Sequence, residues 1–251
     1  MDPSAQYAQA ITEVRHIEAK SVVAPRRAAV ARGYWLAKRW FDLLLSTLLM
    51  ILLAPVGALI TLLIRLDSKG PVIFVQKRVR GLTADGKPIL FPFYKFRSMY
   101  TGVDTEVHRR YTRDLINGNG KTHAQLRNGR QRRPLYKLAD DPRVTHFGRL
   151  LRRTSLDELP QLWNVFIGDM SLVGPRPALP YEVAEYQPWH RQRLEATPGI
   201  TGLWQVSGRS ALSFDDMVRL DLEYAARRSF WYDLSLLFRT IPVVLLGVGA
   251  G

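Results

Sequence analysis

LLLSTLLMILLAPVGALITLLI, residues 43–64, carries no charged side chain from end to end. As an α-helix it is about 33 Å long, enough to cross a hydrocarbon core of about 30 Å. A buried helix of a soluble protein seldom stays uncharged on every face for six turns. A secretory signal fits poorly, because some forty mostly polar residues precede the run and no small-residue cleavage pattern follows it. Two details complicate a plain crossing. Pro55 sits mid-run, where it removes a backbone hydrogen bond and bends a helix. Lys38 and Arg39 flank one end, Arg65 and Lys69 the other, whereas positive charge ordinarily marks only the cytoplasmic side. A segment that enters, bends at Pro55 and returns fits these flanks; a kinked span fits the proline equally well. Trp35 and Trp40 stand where interfacial anchors would.

No second run in the chain reaches this length. Phe230–Phe238 (FWYDLSLLF) and 241–248 (IPVVLLGV) read as a helix lying on the membrane or packed on the first one. The body attached to the bilayer therefore spans roughly residues 70–240. Its composition is that of a folded protein: 251 residues, 47% hydrophobic, 23% charged. The absence of cysteine excludes a disulfide framework, thiolate metal sites and a cysteine nucleophile. A net charge of +14, from 36 Lys+Arg against 22 Asp+Glu, calls for an anionic partner: nucleic acid, acidic lipid or a phosphorylated substrate.

Along the body, PVIFVQKRV and PILFPFYKF flank an Asp85-Gly86 turn signal and predict a β-hairpin over 71–99. Residues 100–140 are charged, with a short helix at 106–116 and a long basic loop. Residues 143–170 read as helix, break, helix. Pro175, Pro177 and Pro180 impose an extended loop. Helices follow at 181–195 and 214–228.

The five histidines show no HxxxH or HExxH spacing, and there is no P-loop or GxGxxG pattern. Chemistry concentrates in RRTSLDELPQLWNVFIGDMSLVGPRP, residues 152–177. Ser155-x-x-Glu158 matches a capping box, although Pro160 then lies one position too deep for a helix's first turn. Beside this capping reading stands a chemical one. A helix N-terminus favours negative charge, so Asp157 there would stay ionised with phosphate nearby. An ionised Asp can attack phosphorus. Two adjacent carboxylates, Asp157 and Glu158, can hold Mg²⁺ together with substrate phosphates. Arg152, Arg153 and Arg176 offer forked donors for phosphate oxygens, and the prolines around Arg176 stiffen it. PGITGLWQVSGR (198–209) could form a loop closing over a ligand, and Lys95 in FYKFRSM is a third candidate.

These motifs, together with KRWFDLLLS…LLAPVGALI (38–60) and DPRVTHFGRLLRRTSLDELPQ (141–161), resemble the bacterial sugar transferase family, the monotopic phosphoglycosyl transferases of the exopolysaccharide-priming type. The resemblance runs from about Lys38 to the C-terminus. It implies transfer of a sugar 1-phosphate from a UDP-sugar to undecaprenyl phosphate, with release of UMP, Mg²⁺ as cofactor and a covalent phosphosugar-aspartate intermediate. It places catalysis and metal binding on Asp157 and Glu158. Lys95, Arg153, Arg176, Arg209 and Asp221 become the phosphate- and nucleotide-binding residues, and Pro55 the membrane bend. The family's bend carries a Ser-Pro pair; Ala54 replaces that serine here. The fold expected is α+β and mainly helical: an extension (1–37), a re-entrant membrane helix hairpin (38–66) and a cytoplasmic globular domain (67–251) containing the small β-hairpin and membrane-surface helices. The protein is expected at the cytoplasmic face of the bacterial inner membrane, among membrane lipids and without a nucleic-acid partner; homo-oligomerisation is left open. The competing readings are a non-catalytic membrane scaffold of glycan assembly and a basic nucleic-acid-binding membrane protein.

Overall fold

A computed structural model describes residues 32–102, 106–117, 141–207 and 212–245. The apolar run lies within α1 (Arg32–Asp67), which is helical throughout with Pro55 inside it. It starts at Arg32, within the segment drawn above as an extension. The β-hairpin follows as β1 (Ile73–Leu82) and β2 (Pro88–Phe96), antiparallel, with Phe74 opposite Lys95 and a bulge between Val79 and Gly81. The order then runs α2 (Glu106–Ile116), α3 (His146–Thr154), a 3-10 turn (Leu156–Glu158) and α4 (Gln161–Ile167). β3 (Ser171–Val173), α5 (Pro180–Ala184), a second 3-10 turn (His190–Glu195) and β4 (Gly199–Thr201) come next. α6 (Leu203–Ser207), α7 (Phe214–Arg227) and α8 (Phe230–Leu245) complete the order. The helix expected over 181–195 is thus two short pieces, with Pro188 between them. The two three-residue strands β3 and β4 pair in parallel, Ser171 with Gly199 and Val173 with Thr201. Neither is long enough to leave a periodic signature.

One side of α1 packs on the body and the other is bare. Lys38, Asp42, Ser46, Ile60 and Ile64 are buried, while Leu36, Trp40, Leu44, Leu48, Ile51, Leu52, Leu59, Leu62 and Leu66 are exposed at helical spacing. The first half of α1 joins the main core through Phe41, Leu45, Leu49, Met50 and Leu53. The second half builds a smaller cluster, in which Ile60 and Ile64 meet Phe96 and Leu151, with Leu156 and Leu159 alongside. Polar bonds fix α1 near both ends. The Arg39 guanidinium donates to the Val165 and Phe166 carbonyls, capping the C-terminus of α4. Arg97 donates to the Ser68 and Lys69 carbonyls just beyond α1, and Asp67 accepts from the Phe147 amide.

Candidate active site

The Asp-Glu pair stands on a sharp reversal. α3 ends at Ser155, the only non-glycine residue with positive φ among the described residues, at 57°. A left-handed serine costs roughly 1–2 kcal/mol, and here it turns the chain directly into the Leu156–Glu158 turn. The Ser155 side chain makes no capping bond, so the capping-box reading is replaced: Ser155 terminates α3 rather than starting the next helix. Pro160 is the N-cap of α4, which resolves its position in the sequence. Asp157 and Glu158 therefore precede α4 in a 3-10 turn. Leu156 and Leu159 on either side of them press onto Ile60, Ile64, Phe96 and Leu151, seating the pair against the second half of α1.

β2 brings Lys95 to this turn. Its Nζ lies 2.7 Å from Glu158 Oε1 and 3.4 Å from Asp157 Oδ2, and 5.6 Å from the centre of the Phe93 ring. Arg176 Nη1 stands 3.6 Å from Glu158 Oε1. The side chains are partly open to solvent, from 9% for Asp157 to 22% for Glu158 and Arg176. Lys95, the Asp157–Glu158 pair and Arg176, from three separate stretches of the sequence, are thus brought together.

The loop carrying Arg176 is tied down on every side. The Lys38 ammonium donates to the Val173 carbonyl, with the Tyr224 hydroxyl 3.1 Å from the same oxygen, and Asp42 accepts from the Leu172 amide. Arg78 donates to the Pro177 carbonyl, and the Val79 amide to that of Ala178. The Gly174 amide donates to Thr201, and the Gly199 amide to Pro175. At Gly174, Gly199 and Gly202 a Cβ would collide with facing backbone. Two glycines of PGITG thus serve close packing beneath Arg176, not a closing loop.

Of the other expected residues, Arg153 and Asp221 are described and Arg209 is not. Arg153 is exposed on α3, whereas Arg152 is half-buried. Arg152 donates from Nε to Ser98 Oγ at 3.0 Å. Burial lowers its pKa, opposed by the neighbouring Asp157 and Asp141 carboxylates. Of the two neighbours, Arg152 is the one that feels the Asp157 carboxylate. Asp221 is fully buried and pairs with Arg193 at 2.5 Å. Arg193 also donates to the Tyr186 hydroxyl and lies 3.5 Å from the Arg176 carbonyl, so Asp221 sits behind the site. Burial raises its carboxyl to about 6, against the pull of Arg193. Arg209 lies outside the described residues.

A metal would find two hard oxygen donors in Asp157 and Glu158. Among the described residues no group of three acidic or histidine side chains converges anywhere. Two carboxylates are a donor set that Mg²⁺ accepts, since it takes one or two of them and completes its shell with phosphates and water.

A carboxylate pair flanked by Lys95, Arg152 and Arg176, against a helix with a bare apolar face, suits phosphate chemistry beside a lipid. Comparison with known proteins identifies the family. The family model "Bacterial sugar transferase" matches residues 33–247. The chain belongs to that family. It is 39% identical, over 94% of its length, to the galactosyl transferase CpsE of Streptococcus agalactiae, and covers 48% of that protein. It is 40% identical, over 85% of its length, to the undecaprenyl-phosphate galactose phosphotransferase of Salmonella typhimurium, covering 41% of it. The chain thus spans about half the length of these two relatives, or less. It is 38% identical, over 86% of its length, to the exopolysaccharide production protein ExoY of Rhizobium meliloti and covers 88% of it.

Proposed function

We propose that this bacterial sugar transferase moves a hexose 1-phosphate from a UDP-sugar to undecaprenyl phosphate, releasing UMP, as an early step of exopolysaccharide synthesis. The observation that carries the reading is the Lys95–Asp157–Glu158–Arg176 cluster, seated on the membrane helix through Leu156 and Leu159. Asp157 attacks the sugar-bearing phosphorus. An Oδ–P bond forms, the bridging P–O bond breaks, and UMP departs. An oxygen of the lipid phosphate then attacks the same phosphorus and expels Asp157. Arg176 and Arg152 bind phosphate oxygens, and Lys95 orients the two carboxylates. Mg²⁺ held by Asp157 and Glu158 would neutralise charge on the diphosphate. The names of relatives support this reading, since they specify undecaprenyl-phosphate galactose and glucose phosphotransferases.

The same reading places the protein at the cytoplasmic face, with α1 re-entrant. A straight helix of 36 residues would be about 54 Å long. Yet the body holds α1 from the Tyr34 hydroxyl, bonded to Asp233, to Asp67, bonded to Phe147. A crossing helix would carry one of these ends to the far side. A bend at Pro55 keeps both on one face, with the bare stripe dipping into lipid. Trp231, Phe238 and Ile241, exposed on α8, would lie against the same surface.

The test is intact-protein mass spectrometry with UDP-glucose or UDP-galactose and Mg²⁺, without lipid acceptor. The native enzyme gains one hexose phosphate and releases one UMP; Asp157→Asn does neither. If the native enzyme shows no adduct and no UMP burst under rapid quench, transfer is direct and Asp157 is not the nucleophile.

A further inference from the structure

We infer that Asn164 is a positioning residue that sets Lys95 against the carboxylate pair by standing in for a missing β-strand. The inference rests on the function proposed above. β2 is paired on one edge only, with β1, among the described residues. On its other edge the Pro92 carbonyl and the Tyr94 amide point away from β1, as alternate residues of an antiparallel strand do. Proline at 92 fits that edge, because its missing N–H removes no bond to β1. Pro92 is exposed and Tyr94 half-buried, but both groups lie in partly buried surroundings where the lack of a partner costs free energy. The Asn164 carboxamide meets both. Its Oδ1 accepts from the Tyr94 amide at 3.2 Å and its Nδ2 donates to the Pro92 carbonyl at 2.7 Å. Only one orientation of the amide satisfies a donor and an acceptor together, so the side chain works as a single peptide unit of a third strand.

Asn164 is fully buried and stands on α4, seven residues after Asp157. Its own carbonyl accepts from the Gly168, Asp169 and Met170 amides, so its backbone is fixed as well. A chain of short-range bonds joins it to the pair: Glu158 to Ser155, Leu159 to Leu156, Leu162 to Leu159 and Trp163 to Pro160. The carboxylates and the asparagine thus belong to one rigid piece. That piece grips β2 at Pro92 and Tyr94, and the next residue is Lys95. The 2.7 Å contact between Lys95 and Glu158 follows from that registration. A shift of about 1 Å in a catalytic group can cost about 100-fold in rate.

The experiment is a double-mutant cycle in UMP release, using Asn164→Ser, Lys95→Met and the double variant in lipid nanodiscs. If Asn164 acts through Lys95, Asn164→Ser lowers kcat about tenfold or more. The KM for the UDP-sugar stays within about threefold. The double variant is no slower than Lys95→Met alone, because the lysine that Asn164 places is already gone. Losses that multiply, or no loss in Asn164→Ser, overturn the proposal. Hydrogen exchange at the Tyr94 amide of the native protein is an independent arm, untouched by misfolding of a variant. It should be protected like the β1-facing amides of β2, and rapid exchange overturns the surrogate strand. If the native enzyme releases no UMP from any UDP-sugar, the proposed function fails while this exchange measurement still stands.

Discussion

Lys38 and Lys95 each meet carboxylates, and the two places could hardly be used more differently. Around Lys38 every polar atom has its partner inside the protein. The ammonium reaches Asp233 at 2.6 Å, the Val173 carbonyl at 3.0 Å and the Tyr224 hydroxyl at 3.5 Å. Asp233 also accepts from Tyr34 and Tyr224. The two charged side chains are 8% and 7% exposed. Such a cluster has no bond to offer a substrate; it joins α1, α8 and β3. Around Lys95 one ammonium is divided unequally between two carboxylates, with a guanidinium just outside hydrogen-bond range and solvent at the rim. Sealed charge holds the fold together, and open charge can be exchanged for a phosphate. The sealed cluster also serves the open one, because Val173, which it grips, lies three residues before Arg176.

The sharpest way to break this distinction is to remove each lysine in turn. Lys95→Met should cut turnover by about 100-fold or more, as loss of a preorganised charge in an active site does. It should hardly move the denaturation midpoint in micelles. Lys38→Met strands Asp233 in the interior and should cost about 3–5 kcal/mol of stability. Lys38→Met with Asp233→Asn should recover most of that, because no buried charge is then left alone. Equal stability losses at the two lysines would erase the distinction.

The second test concerns the other sealed pair, Asp221 and Arg193. Burial raises the Asp221 carboxyl to about 6, from an ordinary value of 3.8. Between those values the native state keeps a proton that the unfolded chain has released. This contribution to stability is therefore fully present below pH 3.8 and is lost as pH rises through about 6. Its size is at most about 3 kcal/mol, at 1.36 kcal/mol for each pH unit. Stability profiles of the native protein and Asp221→Asn should diverge in slope between about pH 4 and 6. Parallel profiles across that window would place Asp221 in contact with water.

Much of this was legible in the sequence, for identifiable reasons. The apolar run, the Asp-Gly turn of the hairpin and the helix at 214–228 follow from periodicity and turn chemistry, and the structure has all three. Lys95, Asp157, Glu158 and Arg176 converge as the motifs imply. Less could be read where tertiary contact decides. Ser155 resembles a cap in sequence, but its left-handed conformation is a property of the reversal it makes. Gly199 and Gly202 read as part of a loop that could close over a ligand until the backbone they face is known. Asn164 carries no motif of its own, since its partners lie some seventy residues away.

The smallest effect expected is the most instructive about reading helices. Arg152 and Arg153 are adjacent, and neighbours in a helix do not share a face. Which of them turns inward depends on which leucine of Leu150-Leu151 does. Four residues before Arg152 stands Gly148, buried and so tight against the Ser98 backbone that a Cβ would clash there. Beside it Leu151 is 1% exposed. Arg152 shares that face and bonds Ser98. Four residues before Arg153 stands Arg149, exposed, and three before it Leu150, 52% exposed. An exposed leucine is what hides the answer from the sequence, because apolar character alone does not say which of Leu150 and Leu151 turns inward. Arg152→Gln should therefore lower kcat/KM for the UDP-sugar about tenfold or more, through a lost charge-assisted bond to phosphate. Arg153→Gln should change it by no more than about twofold, within the range of an exposed charge. Thermal unfolding of both variants in micelles separates a binding loss from a folding loss, since Arg152 also holds Ser98. If Arg153→Gln proves the more damaging of two equally folded variants, the exposed arginine belongs to the open cluster and α3 must rotate when substrate binds.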